Sequence, residues 1–366
     1  MVSGAGQGPV TPLASLLAAR IAAHGPMTLA DYMAECLLHP RHGYYTTQQP
    51  FGQAGDFITA PEVSQMFGEL LGLCLAQSWM DQRRPDRFIL AETGPGRGTL
   101  MADMLRALRT VPGLRAAAEV HLIEASPALQ ARQRQTLAGE AVIWHDQIAT
   151  LPQGPLFLVA NEFFDALPIR QFQRTAAGWA ERQVGCGDAG LTFGLAHPAR
   201  YGALDHRLGD TAVGDIVEIC PALPAIAGQI AARIAAWGGA AIILDYGDWR
   251  SRGDTFQALK AHQPTHPLAT PGQADLTAHV DFEALAAVFA ASGAAVTRMT
   301  AQGVFLQRLG ITARAAALAR NLTGAAADRL SAAHRRLTHP AEMGELFKVI
   351  ACHPEQTPPP PGLDPA

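Results

Sequence analysis

An α/β fold built on a Rossmann-like, mostly parallel sheet is predicted by three features of the sequence. The apolar run 88–91 ends in Glu92 and leads into glycine at alternate positions, Gly94, Gly96 and Gly98. Apolar residues at helical spacing then run from Leu100 to Leu108, so the order reads strand, glycine-rich turn, helix. Further apolar runs at 119–123, 141–144, 155–160 and 240–244 end in polar or acidic residues and alternate with helical patterns, the rhythm of parallel βα units. Between 169 and 195 that rhythm breaks into short alternating runs separated by Ala177-Gly178 and by residues 187–190, the pattern of an inserted antiparallel hairpin.

The glycine turn points to a particular ligand. Gly94, Gly96 and Gly98 permit positive φ and close backbone approach, and the following helix start offers N–H groups to a polar ligand. The spacing is shorter than the dinucleotide Gly-x-Gly-x-x-Gly pattern, and no Gly-Lys-Ser/Thr of a P-loop follows. Glu92 would repel a pyrophosphate but suits an ammonium or a sulfonium, which selects S-adenosylmethionine as cofactor. A tight turn that binds nothing is the plainer alternative.

Composition narrows the class. The chain has 366 residues, 48% hydrophobic and 16% charged, with a formal net charge of −4, enough to bury a large core and too acidic for bulk attraction to nucleic acid. Cys36, Cys74, Cys186, Cys220 and Cys352 are far apart and form no C-x-x-C pair, so neither a disulfide framework nor a metal site is expected. No apolar run is long enough to span a bilayer, and residues 1–10 are small and polar rather than basic then apolar. No membrane insertion and a cytoplasmic location are the expectations.

Taken in order, residues 12–23 and the stretch from Thr28 to Leu38 read as amphipathic helices, the second capped by Thr28 and ended by His39-Pro40. Residues 39–62 are aromatic, glycine-rich and aperiodic, a long loop containing Asp56. A helix from Ser64 to Trp79 follows, making residues 1–85 an amino-terminal helical and loop cap. The second strand ends in Glu124, placed where an acid accepts hydrogen bonds from ribose hydroxyls, or else a simple turn residue. The third ends in His145-Asp146, beside the expected adenine position. The fourth ends in Asn161-Glu162-Phe163-Phe164-Asp165, on the side of the sheet where ligands lie. The main domain is expected over 86–352 with insertions at about 170–215 and 249–280, the latter loop-like. Strand six is placed at 295–300, one helix at 313–333, a last strand at 346–351, and a solvated, proline-rich tail at 353–366.

Together these segments resemble the MidA-type family of class I S-adenosylmethionine-dependent methyltransferases, which includes the mitochondrial complex I assembly-factor methyltransferases. The resemblance is carried by residues 55–69, 92–100, 161–168, 244–247, 275–282, 302–306 and 343–349, in the family's order; Thr93 stands where leucine or isoleucine is more usual. It implies a seven-stranded methyltransferase sheet with its last strand antiparallel, and an amino-terminal cap and inserted hairpin facing the substrate. It also implies arginine methylation of a protein partner, with a complex I subunit as candidate. Family membership specifies the cofactor better than the acceptor.

Arginine as acceptor calls for carboxylates, because the guanidinium stays protonated and its planar fork fits paired acids. Glu162 and Asp165 are the candidates, with Asn161 accepting an incoming N–H. The alternatives are a solvated strand end for Glu162 and a helix N-cap over 166–169 for Asp165. Asp56 either clamps the methionine end or the acceptor, or is a plain turn residue. His279 is either a proton acceptor or a structural hydrogen-bonder, and Asp281 either an N-cap or a catalyst. Two other functions stay open: a small-molecule O- or N-methyltransferase, and a non-catalytic assembly module that retains the cofactor site.

Overall fold

The computed structural model describes residues 11–47 and 59–366, and its chain divides into two compact units. One unit comprises residues 58–165, 223–250 and 280–366. Its sheet is built from β1 (Phe88–Thr93), β2 (Ala118–Ile123), β3 (Val142–His145), β4 (Leu156–Asn161), β5 (Gly239–Asp248), β6 (Ala295–Val296) and β7 (Phe347–His353), in the order β6-β7-β5-β4-β1-β2-β3. Strands β1 to β5 are parallel, and β7 runs antiparallel to both β5 and β6. This is the expected seven-strand path. Short strands Val280–Asp281 and Thr300–Ala301 add to β5 and β7.

Strands β1 and β4 are buried at every position, as apolar runs covered on both faces must be. The helices α1 (Gln65–Asp81), α2 (Thr99–Leu108), α3 (Pro127–Thr136), α4 (Leu223–Trp237) and α5 (Phe282–Ala291) belong to the same unit. Ser64 caps α1 by accepting from the Met66 N–H, and Ser126 caps α3. The core of this unit combines Phe67, Leu71 and Leu75 of α1 with Met101, Met104 and Leu105 of α2 and with Leu90, Val159, Ile242 and Val349 of the sheet. Residues 60–81, which the sequence assigns to an amino-terminal cap, pack in this unit.

Strand register sets the site. Glu92 pairs with Val159 and Thr93 with Ala160, while Asn161 pairs with Leu244. The carboxyl ends of β1, β4 and β5 therefore bring Glu92, Asn161 and Asp245 to one end of the sheet. Connections leave β1 and β4 toward opposite edges, which makes this the switch point where open α/β sheets take ligands.

The other unit comprises residues 1–57, 166–222 and 251–279. The expected hairpin is here part of a five-stranded sheet formed by Met27–Thr28, Arg170–Thr175, Gly178–Gly187, Gly190–Leu195 and Ile216–Ile219. Helices Pro12–His24 and Leu29–Leu38 pack Leu13, Leu17, Tyr32 and Met33 with Val184 and Leu276 in a separate core.

Four sequence expectations change. The stretch expected as a loop at 249–280 contains an antiparallel sheet of Gln257–Lys260, Gln263–Thr265 and Asp275–Thr277, whose short strands carry too few residues for alternation to stand out. Strand six is confined to Ala295–Val296. The helix expected at 313–333 is two, Ile311–Ala319 and Ala325–Thr338, separated around Gly324 with φ of 55°. The tail is only partly solvated: the Pro361 carbonyl accepts from Cys74 Sγ at 3.4 Å and Leu363 is buried, so the rigid prolines deliver an apolar anchor.

Candidate active site at the carboxyl ends of the sheet

The glycine turn adopts the conformation its composition requires. Gly94, Gly96 and Gly98 have φ of 61°, 50° and 81°, in the left-handed region that side chains avoid. Gly98 is the N-cap of α2 and supplies no side chain, so the start of this ten-residue helix has no side-chain cap, and of its first-turn N–H groups that of Met101 is given to Glu92. A Cβ on Gly94 would lie 2.9 Å from Phe163 Cδ2, so the glycine also lets the β4 turn pack against the loop.

Glu92 is 3% exposed, and burial pushes its pKa up to about 8, with the Met101 N–H opposing and the charge of Glu124 adding to the rise. Among the described residues its buried Oε2 has no hydrogen-bond partner. A buried carboxylate oxygen without a donor calls for a cation, which the ammonium and sulfonium of S-adenosylmethionine carry. At the end of β2, Glu124 accepts from the Ser126 N–H at 2.8 Å and from Gln133 Nε2 at 3.2 Å. Burial pushes it up to about 7 against these donors. These residues fit the cofactor. Asp146 is exposed and accepts from Gln130 Nε2 at 3.5 Å.

The short helix Ala60–Val63 is tied to the glycine loop by Glu62, which accepts from Thr99 Oγ1 at 2.6 Å and pairs with Arg97 at 3.2 Å. Glu69 is buried on α1 and bound to Arg106 and Arg314 at 3.1 and 2.8 Å.

The turn after β4 is held by a residue the sequence reading did not single out. Asp245 is fully buried at the end of β5, and its Oδ2 accepts from the backbone N–H groups of Phe163, Phe164 and Asp165 at 3.2, 2.9 and 3.2 Å. Its Oδ1 accepts from the Tyr246 N–H at 3.0 Å. Burial first, then the charges of Asp165 and Glu162, raise the Asp245 pKa well above the ordinary carboxylate range. The three acids thus sense one another. Its signal in the sequence is the placement of an acid directly after Ala240 to Leu244, a run too apolar to leave that acid exposed.

Glu162 is half-buried with φ of 50°, a left-handed conformation that costs a non-glycine residue roughly 1–3 kcal/mol. Its Oε1 accepts from the Ala60 N–H at 3.0 Å and from Asn161 Nδ2 at 3.1 Å. Asn161 itself is buried. No helix forms over 166–169, so Asp165 is not an N-cap; it is 5% exposed in a turn hung from Asp245. Phe163 and Phe164 meet edge to face at 5.2 Å, and Tyr246 packs on Phe347.

The remaining candidates separate. His279 belongs to the other unit, where its backbone N–H donates to Thr255 Oγ1 at 2.8 Å. Asp281 caps α5 by accepting from the Ala284 N–H at 2.9 Å. Asp56 lies outside the described residues. Among those residues no helix is long and apolar enough to cross a membrane.

The chain is similar to known proteins. A family model described as "Putative S-adenosyl-L-methionine-dependent methyltransferase" matches residues 70–300. Protein arginine methyltransferase NDUFAF7, mitochondrial, of Homo sapiens is 35% identical, with 96% of this chain and 85% of that protein covered. Its Drosophila melanogaster homolog, also mitochondrial, is 35% identical over 93% of this chain and 85% of its own length. A crystal structure from Burkholderia thailandensis, bound to S-adenosyl-homocysteine, matches with a TM-score of 0.84 at 32% identity, covering 96% of this chain and 93% of that one. The expected cytoplasmic location is overturned by these relatives, which are named as mitochondrial proteins; composition at 1–10 was too weak a signal of address. With a matching family model, relatives aligned along nearly the whole chain and a buried acid set that fits the methyl donor, the chain belongs to the S-adenosyl-L-methionine-dependent methyltransferases.

Proposed function

We propose that this methyltransferase acts on a guanidinium nitrogen of arginine in a protein, and that its substrate protein is a subunit of respiratory complex I. The reading rests on the gathering of Glu162, Asp165 and Asp245 at the ends of β4 and β5, where the charges of Asp165 and Glu162 raise the Asp245 pKa. Clustered carboxylates are relieved by a cation, and a guanidinium brings one with a planar fork of donors. The relatives support the same acceptor, being named protein arginine methyltransferases.

In this reading the donor side is held by Glu92 at the methionine end, by Gly94, Gly96 and Gly98 under the cofactor, and by Glu124 on the ribose. Asp146 stands at the adenine edge. Bound S-adenosylmethionine supplies a methyl group on a sulfonium whose sulfur leaves neutral, with the electron pair of the broken bond. Glu162 and Asp165 grip the guanidinium, and Asn161 accepts one of its N–H groups. As the new nitrogen–methyl bond forms, the proton on that nitrogen passes to Glu162, so positive charge does not build on the product. Asp245 touches no reactant; it holds the turn that presents the two acids. The main contribution of the protein is orientation, since the leaving group needs no activation.

The test is mass spectrometry of complex I subunits from cells with and without the protein. Loss of a methyl-arginine supports the reading and names the substrate. Unchanged protein methylation contradicts it and returns the function to a small-molecule acceptor or to a non-catalytic assembly role.

A further inference from the structure

Gln133 is a polar side chain with no exposed surface, on a helix whose Arg132, Arg134, Gln135 and Thr136 are exposed. Its Nε2 donates to the Gly96 carbonyl at 2.8 Å and to Glu124 Oε2 at 3.2 Å, and its Oε1 accepts from Trp144 Nε1 at 2.9 Å. A Cβ on Gly98 would lie 3.5 Å from Gln133 Cγ, so α3 packs directly against the loop. One amide therefore ties together the glycine loop, the acid at the end of β2, α3 and β3. A buried amide is retained at low cost only when its donors and acceptor are all used, and here they are.

We infer that Gln133 is the positioning residue of the cofactor site: it orients the Glu124 carboxylate toward the ribose, holds Gly96 in register with it, and sets the pH at which that carboxylate becomes available. Its hydrogen bond favours the charged form of Glu124, which burial pushes up to about 7 even with this donor in place. The ionised carboxylate accepts from ribose hydroxyls and the protonated one accepts less well, so cofactor affinity falls as pH drops through this range. Loss of the Gln133 donor raises the Glu124 pKa further and moves the fall in affinity to higher pH. The other charged groups around Glu124 are Glu92 on β1, with which it interacts electrostatically, His145, whose carbonyl accepts the Glu124 N–H, and Asp146, reached through Gln130. Arg134 lies over the Trp144 ring. Gln133 has no hydrogen bond to Glu92 among those described, so a shift caused by changing Gln133 reports on Glu124.

The inference rests on reading Glu124 as the ribose-binding acid, and the experiment separates the two. Calorimetry with S-adenosyl-homocysteine from pH 6 to 9 compares the wild type with Gln133→Met, which keeps the volume and removes the hydrogen bonds. It also includes Gln133→Glu, which keeps the shape and replaces the donor with an acceptor, as well as Trp144→Phe and Glu124→Gln. Thermal unfolding shows which variants are folded. The expected result is an affinity loss of about tenfold for Gln133→Met and more for Gln133→Glu, each with the pH midpoint displaced upward, and a smaller loss without displacement for Trp144→Phe. A merely structural role would lower the unfolding temperature and leave the midpoint in place. Wild-type affinity and midpoint in either folded Gln133 variant, with Glu124→Gln impaired, overturns the inference alone; wild-type binding by Glu124→Gln overturns the ribose reading beneath it.

Discussion

The donor and acceptor ends of the candidate site handle buried negative charge differently. At the donor end Glu92 and Glu124 stand at the ends of separate strands, both desolvated: Glu92 takes the Met101 N–H, and Glu124 accepts from the Ser126 N–H and Gln133 Nε2. At the acceptor end three acids are close enough to affect one another, and the deepest, Asp245, spends its carboxylate on the backbone of the turn that carries the other two. On the proposed reading the donor end is a receptor for a small cationic ligand of constant shape. On the same reading the acceptor end is a turn hung from the buried Asp245 carboxyl, able to present acids to a group that arrives on another molecule. Cofactor binding and methyl transfer should therefore be separable by substitution.

The largest expected effect is at Glu92. In the folded chain its pKa is about 8 against an ordinary value of 4.5, so its ionisation opposes folding. The penalty is absent below pH 4.5, grows as pH rises from 4.5 to about 8, where the folded state holds the proton that the unfolded state releases, and is fully present above that. Glu92→Gln removes the penalty. The unfolding temperature of the ligand-free variant should exceed that of the wild type by about 2 °C or more at pH 9 and by less at pH 6, while affinity for S-adenosylmethionine falls about a hundredfold or more. Scanning calorimetry and titration calorimetry on the same samples check both signs.

Asp245→Asn comes next and tests the opposite end. An amide cannot accept from all the N–H groups that the carboxylate now serves, so the turn loosens. Transfer of labelled methyl to protein should drop at least about tenfold while S-adenosyl-homocysteine affinity stays within about threefold. Equal losses in both would erase the distinction between the ends. Gly94→Ala probes a contact that joins them, since the added Cβ meets Phe163 at 2.9 Å and the φ of 61° strains it. Affinity and transfer should both fall, by about three- to tenfold. The smallest effect is expected for Asp146→Ala: this acid is exposed, and cofactor affinity should change less than about threefold.

The same contrast explains what could be read from the sequence. Glu92, the three glycines, Glu124 and the strand order were legible because each follows an apolar run whose register allows little choice. Glu162 and Asp165 were legible as acids at a strand end, but not their suspension from Asp245, because a contact between residues 80 or more positions apart leaves no local pattern. Gln133 was hidden for a related reason. Its helix reads Pro127-Ala128-Leu129-Gln130-Ala131-Arg132-Gln133-Arg134, in which a buried glutamine is indistinguishable from an exposed one. The five-stranded sheet of the other unit draws on Met27–Thr28 and on residues beyond 165, a long-range pairing that local alternation does not announce.

The measurement that bears most directly on the central claim combines two readings on Glu162→Ala: S-adenosyl-homocysteine affinity by calorimetry and methyl transfer to arginine in protein by mass spectrometry. The account predicts affinity within about threefold of wild type and transfer reduced about a hundredfold or more. Unchanged transfer would contradict it.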